Sequence, residues 1–176
     1  DAVERAESLA PSDPRVFNTK GVLLYQTGNL GEARAAFETA ADLSSSASGL
    51  SDREVSTIIV NQGRVYRDLA ELELARLTFR RAITLDPANA TARNLLGNVL
   101  YRLEDCENAE YELAQAVALA PTSLSAVSQL GITVFECGDP AGSIPIFETA
   151  LELEGAVFTP PLYTYLARAY LLQGRV

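Results

Sequence analysis

Gly63, Gly97 and Gly131 stand 34 residues apart, and the residues around them recur in step. A fixed period of this length marks a stack of similar supersecondary units rather than one closed globule. Take the glycine as the eighth position of a unit. The twentieth is then Ala75, Ala109 and Ser143, the twenty-fourth Phe79, Leu113 and Phe147, and the twenty-seventh Ala82, Ala116 and Ala150. The eleventh is Tyr66, Leu100 and Val134, and the thirty-second is Pro87, Pro121 and, departing, Gly155. An earlier unit fits the same frame through Phe17, Gly21, Leu24, Gly28, Ala33, Phe37 and Ala40. The step from Gly21 to Gly63 is 42, which leaves room for an eight-residue insert, the Ser/Gly-rich segment Ser44–Ser51. A partial unit follows at Tyr163, Leu166, Ala167, Tyr170 and Gly174, delayed by two residues around Phe158–Pro161. At the front, Ala6, Leu9 and Pro11 match the end of a unit whose first helix is missing.

The pattern has a physical reading. Small residues at positions eight, twenty and twenty-seven let two antiparallel helices approach closely, and large ones at four, eleven and twenty-four fill the space between them. Proline at thirty-two cannot continue a helix and closes the unit. One such pair cannot bury its apolar side alone, so neighbours must stack. The spacing predicts first helices at about 14–27, 56–69, 90–103, 124–137 and 160–173, and second helices at about 29–43, 71–85, 105–119 and 139–153. Ala2–Leu9 is a leftover second helix.

These residues resemble the tetratricopeptide repeat, a helix–turn–helix of 34 residues. The resemblance implies an all-α, right-handed superhelical solenoid forming a single domain over 1–176. Its repeats are expected at 14–47, 56–89, 90–123 and 124–157, with partial repeats at 1–12 and 160–176 and an inserted loop at 44–55. In that family the first helices line a concave groove, and the second helices form the convex surface.

Composition removes several classes of function. Histidine is absent, which excludes His-based acid–base catalysis, His-dependent triads and His metal ligands. No phosphate-binding glycine loop and no metal-spaced cysteine cluster occurs, so no metal and no cofactor is expected. Acid runs such as Glu71, Glu73 and Glu104–Glu112 read as solvated helix faces and helix starts. No apolar run approaches the roughly 20 residues that cross a bilayer, and direct membrane insertion is not expected. The chain opens in the middle of a unit and reads as a segment of something longer. Arginine outnumbers lysine thirteen to one, which reads as genomic base composition rather than function.

The net charge of −9 is unevenly spread. The five first-helix windows carry seven cations and two anions (Asp68 and Glu136), leaving −14 elsewhere. With the resemblance, this implies a mildly basic groove in an acidic shell. Such a shell argues against nucleic acid and fits a peptide with acidic groups, captured by arginine. Positions that face the groove in the family fall here on Arg15, Asn18, Val22 and Tyr25, then Asn61, Arg64 and Arg67, then Asn94, Asn98, Tyr101 and Arg102. Ser128, Gln129, Ile132 and Phe135 follow, with Tyr165 and Arg168 last. Asparagine can pair with a peptide backbone, arginine with carboxylate, and the aromatic rings give rigid contact area. Arg64, Asn94 and Asn98, on successive first helices, form the central candidate set. The family's carboxylate clamp is not matched, because Asn18, Val22, Thr91 and Leu95 stand at four of its five positions.

Cys106 and Cys137 fall at the same edge of neighbouring helices in this frame, so a disulfide is geometrically open, with two reduced thiols as the alternative. An intact bond implies an exported or periplasmic protein, and free thiols a cytoplasmic one. The expected function is a non-catalytic scaffold or adaptor that binds a segment of a partner protein in its groove. The alternative is a structural subunit of a larger or self-associating assembly, such as a bacterial envelope or pilus complex, joined through its end helices.

Overall fold

The computed structural model describes residue 5 and residues 8–45, 49–154 and 160–174. Within them it has nine helices and no strand: α1 (Pro14–Gln26), α2 (Leu30–Ser44), α3 (Asp52–Asp68), α4 (Leu72–Leu85), α5 (Ala90–Arg102), α6 (Cys106–Leu119), α7 (Leu124–Glu136), α8 (Pro140–Glu154) and α9 (Pro160–Leu172). Most of the leftover helix at 2–9, the centre of the Ser-rich insert at 46–48 and the two-residue delay before Pro160 lie outside the described residues. The chain divides into two compact units, Asp1–Ala92 and Arg93–Val176, and each is described by itself.

Each hairpin is built on the same steric lock. In the first unit, a Cβ placed on Gly21 would stand 2.6 Å from Phe37, and one on Gly63 would stand 2.6 Å from Phe79. In the second unit, Gly97 lies under Leu113 and Gly131 under Phe147, with the same added atom at 2.5 and 2.7 Å. The four large side chains are fully buried. Bare backbone at position eight thus receives the residue at position twenty-four of its partner helix, and the helices close to a distance that a methyl group would forbid.

The turns between paired helices share one geometry. Gly28, Ala70, Glu104 and Gly138 all have positive φ. In each turn the next residue donates its N–H back across the helix end: Asn29 to Leu24, Glu71 to Tyr66, Asp105 to Leu100 and Asp139 to Val134, at 2.8–3.0 Å. Carbonyls otherwise left open at the helix terminus are satisfied in this way.

In the first unit, α1 packs on α2, and α3 packs on both α2 and α4. Ala33, Phe37 and Val65 form one core cluster, and Ala40, Ala41 and Ile58 another. A polar network ties the helices together at the surface. Tyr66 donates to Glu38 at 2.9 Å, and Arg34 bonds Glu38 and Glu71 at 2.8 and 2.7 Å while lying over the Tyr66 ring. Burial, and then the bond to Glu38, raise the Tyr66 pKa. In the second unit, α7 packs on α6 and α8, and α9 on α8 and α7, around Val127, Phe135, Ile144, Phe147, Ala150, Leu162 and Ala169. Tyr170 donates to Glu148 there, at the same repeat positions as Tyr66 and Glu38.

One boundary departs from expectation. α3 begins at Asp52, inside the segment expected as loop, and α2 runs on to Ser44. The cause is local: Ser51 and Glu54 form a reciprocal capping box, with Ser51 N–H bonding Glu54 at 2.9 Å. It satisfies the open N–H groups one turn before the repeat pattern begins. The same bond, backbone first, holds the Glu54 pKa below the usual carboxylate range.

Candidate functional site

The first helices carry the candidate residues in both units. In the first unit, α1 presents Asn18 and Tyr25, and α3 presents Asn61, Arg64 and Arg67. Asn61 donates to Asn18 at 2.9 Å. Arg67 pairs with the neighbouring Asp68 at 2.7 Å, and Tyr25 donates to the other oxygen of the same carboxylate. Burial and then the Asp68 bond raise the Tyr25 pKa, and the Arg67 charge, followed by that of Arg64, opposes this. Arg64 has no ion-pair partner within 4.0 Å among the described residues and is half-buried. Arg15, at the far end of α1, pairs with Asp13.

In the second unit, Asn94 donates to Ser125 at 3.3 Å, and its Oδ1 is covered with no partner among the described residues. Asn98 and Tyr101 follow on α5, half-buried, with Arg102 exposed beyond them. Arg93 turns away to a largely buried pair with Glu112 at 2.8 Å. The richest cluster joins α7 to α9. Phe135 and Tyr165 meet edge to face at 5.3 Å. The Arg168 guanidinium lies 4.9 Å from the Phe135 ring centre and 5.6 Å from that of Tyr165. It also stands 3.7 Å from Glu136, and its side chain is 54% exposed. Burial first, then Glu136, raise the Tyr165 pKa. Tyr165 stacks in turn on the core residue Phe147 at 5.7 Å, which fixes the rings from behind.

Arg168 and Arg64 hold the same position of their repeats, as do Phe135 and Tyr25 of the preceding first helix. An arginine over an aromatic residue one helix earlier is seen in the second unit, and the first unit carries the same two residue types at those positions. Arg64 belongs to the first unit, and Asn94 and Asn98 to the second.

The counterions escaped the sequence reading. Asp68 and Glu136 are the two anions of the first-helix windows, and both stand at the thirteenth position. The structure makes them internal partners of Arg67 and Arg168, so the basic face is partly neutralised from within. Their shared register was the available signal.

Cys106, the first residue of α6, and Cys137, the C-cap of α7, are joined by a disulfide with a Cα–Cα distance of 5.9 Å. Among the described residues, no group of three or more His, Cys, Asp or Glu side chains is placed to hold a metal, and no helix is long and apolar enough to cross a membrane.

An all-α stack of helical hairpins, closed by a glycine under a buried Phe or Leu and presenting polar first-helix faces, defines a helical-repeat solenoid. Two family models, both described as tetratricopeptide repeat, match residues 13–88 and 60–123. The chain belongs to the tetratricopeptide repeat family. It is 29% identical over 136 residues to the human cilia- and flagella-associated protein 70, covering 77% of this chain and 12% of that protein. It is 28% identical over 129 residues to the anaphase-promoting complex subunit CDC16 of Saccharomyces cerevisiae, covering 71% of this chain and 15% of that protein. The chain therefore spans only a small part of the length of these relatives. The crystal structure of YrrB, a TPR protein with an unusual peptide-binding site, superposes with a TM-score of 0.77 at 22% identity, covering 99% of this chain and 85% of that one. At that identity the likeness is one of fold.

Proposed function

We propose that this chain is a non-catalytic protein-interaction scaffold that takes an extended, acidic segment of a partner protein on its first-helix faces. The observation that carries the reading is the Arg168 guanidinium, centred 4.9 and 5.6 Å from the Phe135 and Tyr165 rings with more than half of its side chain exposed. A planar donor fixed on aromatic rings is suited to carboxylate, and it loses little freedom when a ligand arrives. Arg64 and Tyr25 hold the same repeat positions in the first unit, and Arg64 has no ion-pair partner within 4.0 Å among the described residues. Asn61, Asn94 and Asn98 supply amides for the ligand backbone, and Tyr101, Arg67 and Arg102 flank them. YrrB, with its peptide-binding site, and CDC16, a subunit of a larger complex, support an interaction role.

Selection from a displayed random-peptide library tests this. Wild type is expected to enrich sequences rich in Asp and Glu with an aromatic or aliphatic anchor. Arg64→Glu with Arg168→Glu, folded by circular dichroism, is expected to lose that enrichment. Equal enrichment by both proteins would move the working surface elsewhere. A second reading, assembly through the end helices, draws on Leu171 and Leu172 of α9, which are 61% and 68% exposed. A monomeric mass at every concentration in light scattering would remove it.

A further inference from the structure

We propose that the Cys106–Cys137 bond is a redox-responsive clasp that keeps the Phe135–Tyr165–Arg168 array in register while closed and loosens it when reduced. The inference rests on reading that array as part of the ligand face.

The end of α7 positions Arg168. Its guanidinium rests on Phe135 and pairs with Glu136, both in the last turn of α7. The last turn of a helix has carbonyls without intrahelical partners and is where helices open first. Two devices hold this one. The first is the turn at Gly138, whose N–H bonds Phe135 at 3.2 Å, with Asp139 bonding Val134 at 3.0 Å. The second is covalent: Cys137, immediately after Glu136, is tied to the first residue of α6. The covalent tie anchors the C-terminus of α7 to a neighbouring helix, whereas the turn anchors it only to its own chain. At the corresponding place in the first unit, Leu69 follows Asp68 with no sulfur, and Tyr25 secures that carboxylate instead. Glu136 is bonded instead by Tyr165 and Arg168 of α9, and the disulfide adds the tie from the end of α7 to α6.

Cys106 and Cys137 are half-buried rather than enclosed in the core, and both stand at helix ends. Glu104, Asp105 and Glu107 flank one sulfur, and Glu136 and Asp139 the other. That setting repels anionic thiols and favours an uncharged dithiol as reductant. In the exchange, one thiolate of the dithiol attacks a Sγ and breaks the S–S bond. The second thiol of the reductant then displaces that sulfur and closes the reductant's own disulfide. Two electrons pass to the protein, and Cys106 and Cys137 each end as a thiol carrying one proton.

Amide hydrogen exchange read by mass spectrometry tests the clasp without any ligand. The chain is compared as isolated, after dithiothreitol, and as Cys106→Ser with Cys137→Ser. The isolated chain should weigh two hydrogens less than the reduced one. Exchange in segments 131–139 and 162–170 should rise about tenfold on reduction and in the double variant, while segment 58–66 of the first unit keeps its rate. Three results would each overturn the proposal: free thiols in the chain isolated under non-reducing conditions, an unchanged 162–170 segment after full reduction, or an equal rise in 58–66. The peptide selection above decides the ligand-face reading separately, because its outcome does not depend on the exchange rates.

Discussion

A methyl group is enough to disturb this protein at four places and is welcome at another. Gly63 and Gly31 are both helical, and alanine is the better helix former at either by up to about 1 kcal/mol. A Cβ on Gly63 would meet the buried Phe79 ring at 2.6 Å, whereas one on Gly31 meets nothing within 4 Å. Gly63→Ala is therefore expected to lower stability by about 1–2 kcal/mol net, and Gly31→Ala to raise it by about 0.5 kcal/mol. Thermal unfolding followed by circular dichroism should show opposite signs. Thr133 is the reverse case. Its hydroxyl is fully buried with no partner among the described residues, and the same repeat position holds Val65 and Val99. Thr133→Val should stabilise by about 1 kcal/mol, and a loss instead would reveal a partner for that hydroxyl. The glycine locks were legible because both members recur at a fixed spacing. The counterions were not, because an anion on a helix face looks alike in sequence whether it faces water, a neighbouring arginine as Asp68 does, or one on another helix as Glu136 does. Replacing Glu136 by Gln should raise affinity for a selected acidic peptide about two- to fivefold, the worth of an exposed ion pair. Weaker binding in fluorescence anisotropy would mean that Glu136 holds Arg168 in place more than it competes for it.

Helix positions were readable to within a residue wherever the 34-residue period ran unbroken, since the period places both helices and the turn between them. The reading slipped at α3, where a capping box outside the period extends the helix. The positive φ of Ala70 and Glu104 was also invisible, because neither is the glycine that Gly28 and Gly138 advertise at the same place. A left-handed non-glycine residue costs about 1 kcal/mol, so Ala70→Gly should be neutral or stabilising despite the looser unfolded chain. Between hairpins, the Tyr66–Glu38 bond is the element-scale tie. Its energetics have a definite pH sense. The folded Tyr66 pKa is raised above 10.0, so its contribution is complete below that value and is lost as pH climbs through the higher folded value. Stability of the wild type should then fall more steeply above about pH 10 than that of Tyr66→Phe. Parallel slopes in denaturant melts across that range would deny the tyrosine this role.

On the scale of the whole molecule, the chain is a series of short-range contacts crossed by one covalent bond. By loop-closure reasoning, a bridge between residues 31 apart removes about 3–4 kcal/mol of unfolded-state freedom, so reduction should lower the melting temperature of the second unit. The same bond has a mechanical meaning. A chain held at its two ends and stretched lengthens by about 3.4 Å for every residue that unravels. The 31 residue steps between Cys106 and Cys137 cannot be drawn out while the sulfurs are joined 5.9 Å apart at their Cα atoms. In an optical trap the fully extended oxidised chain should stop about 100 Å short of its reduced length, and the missing length should appear in one step when a reductant enters the chamber.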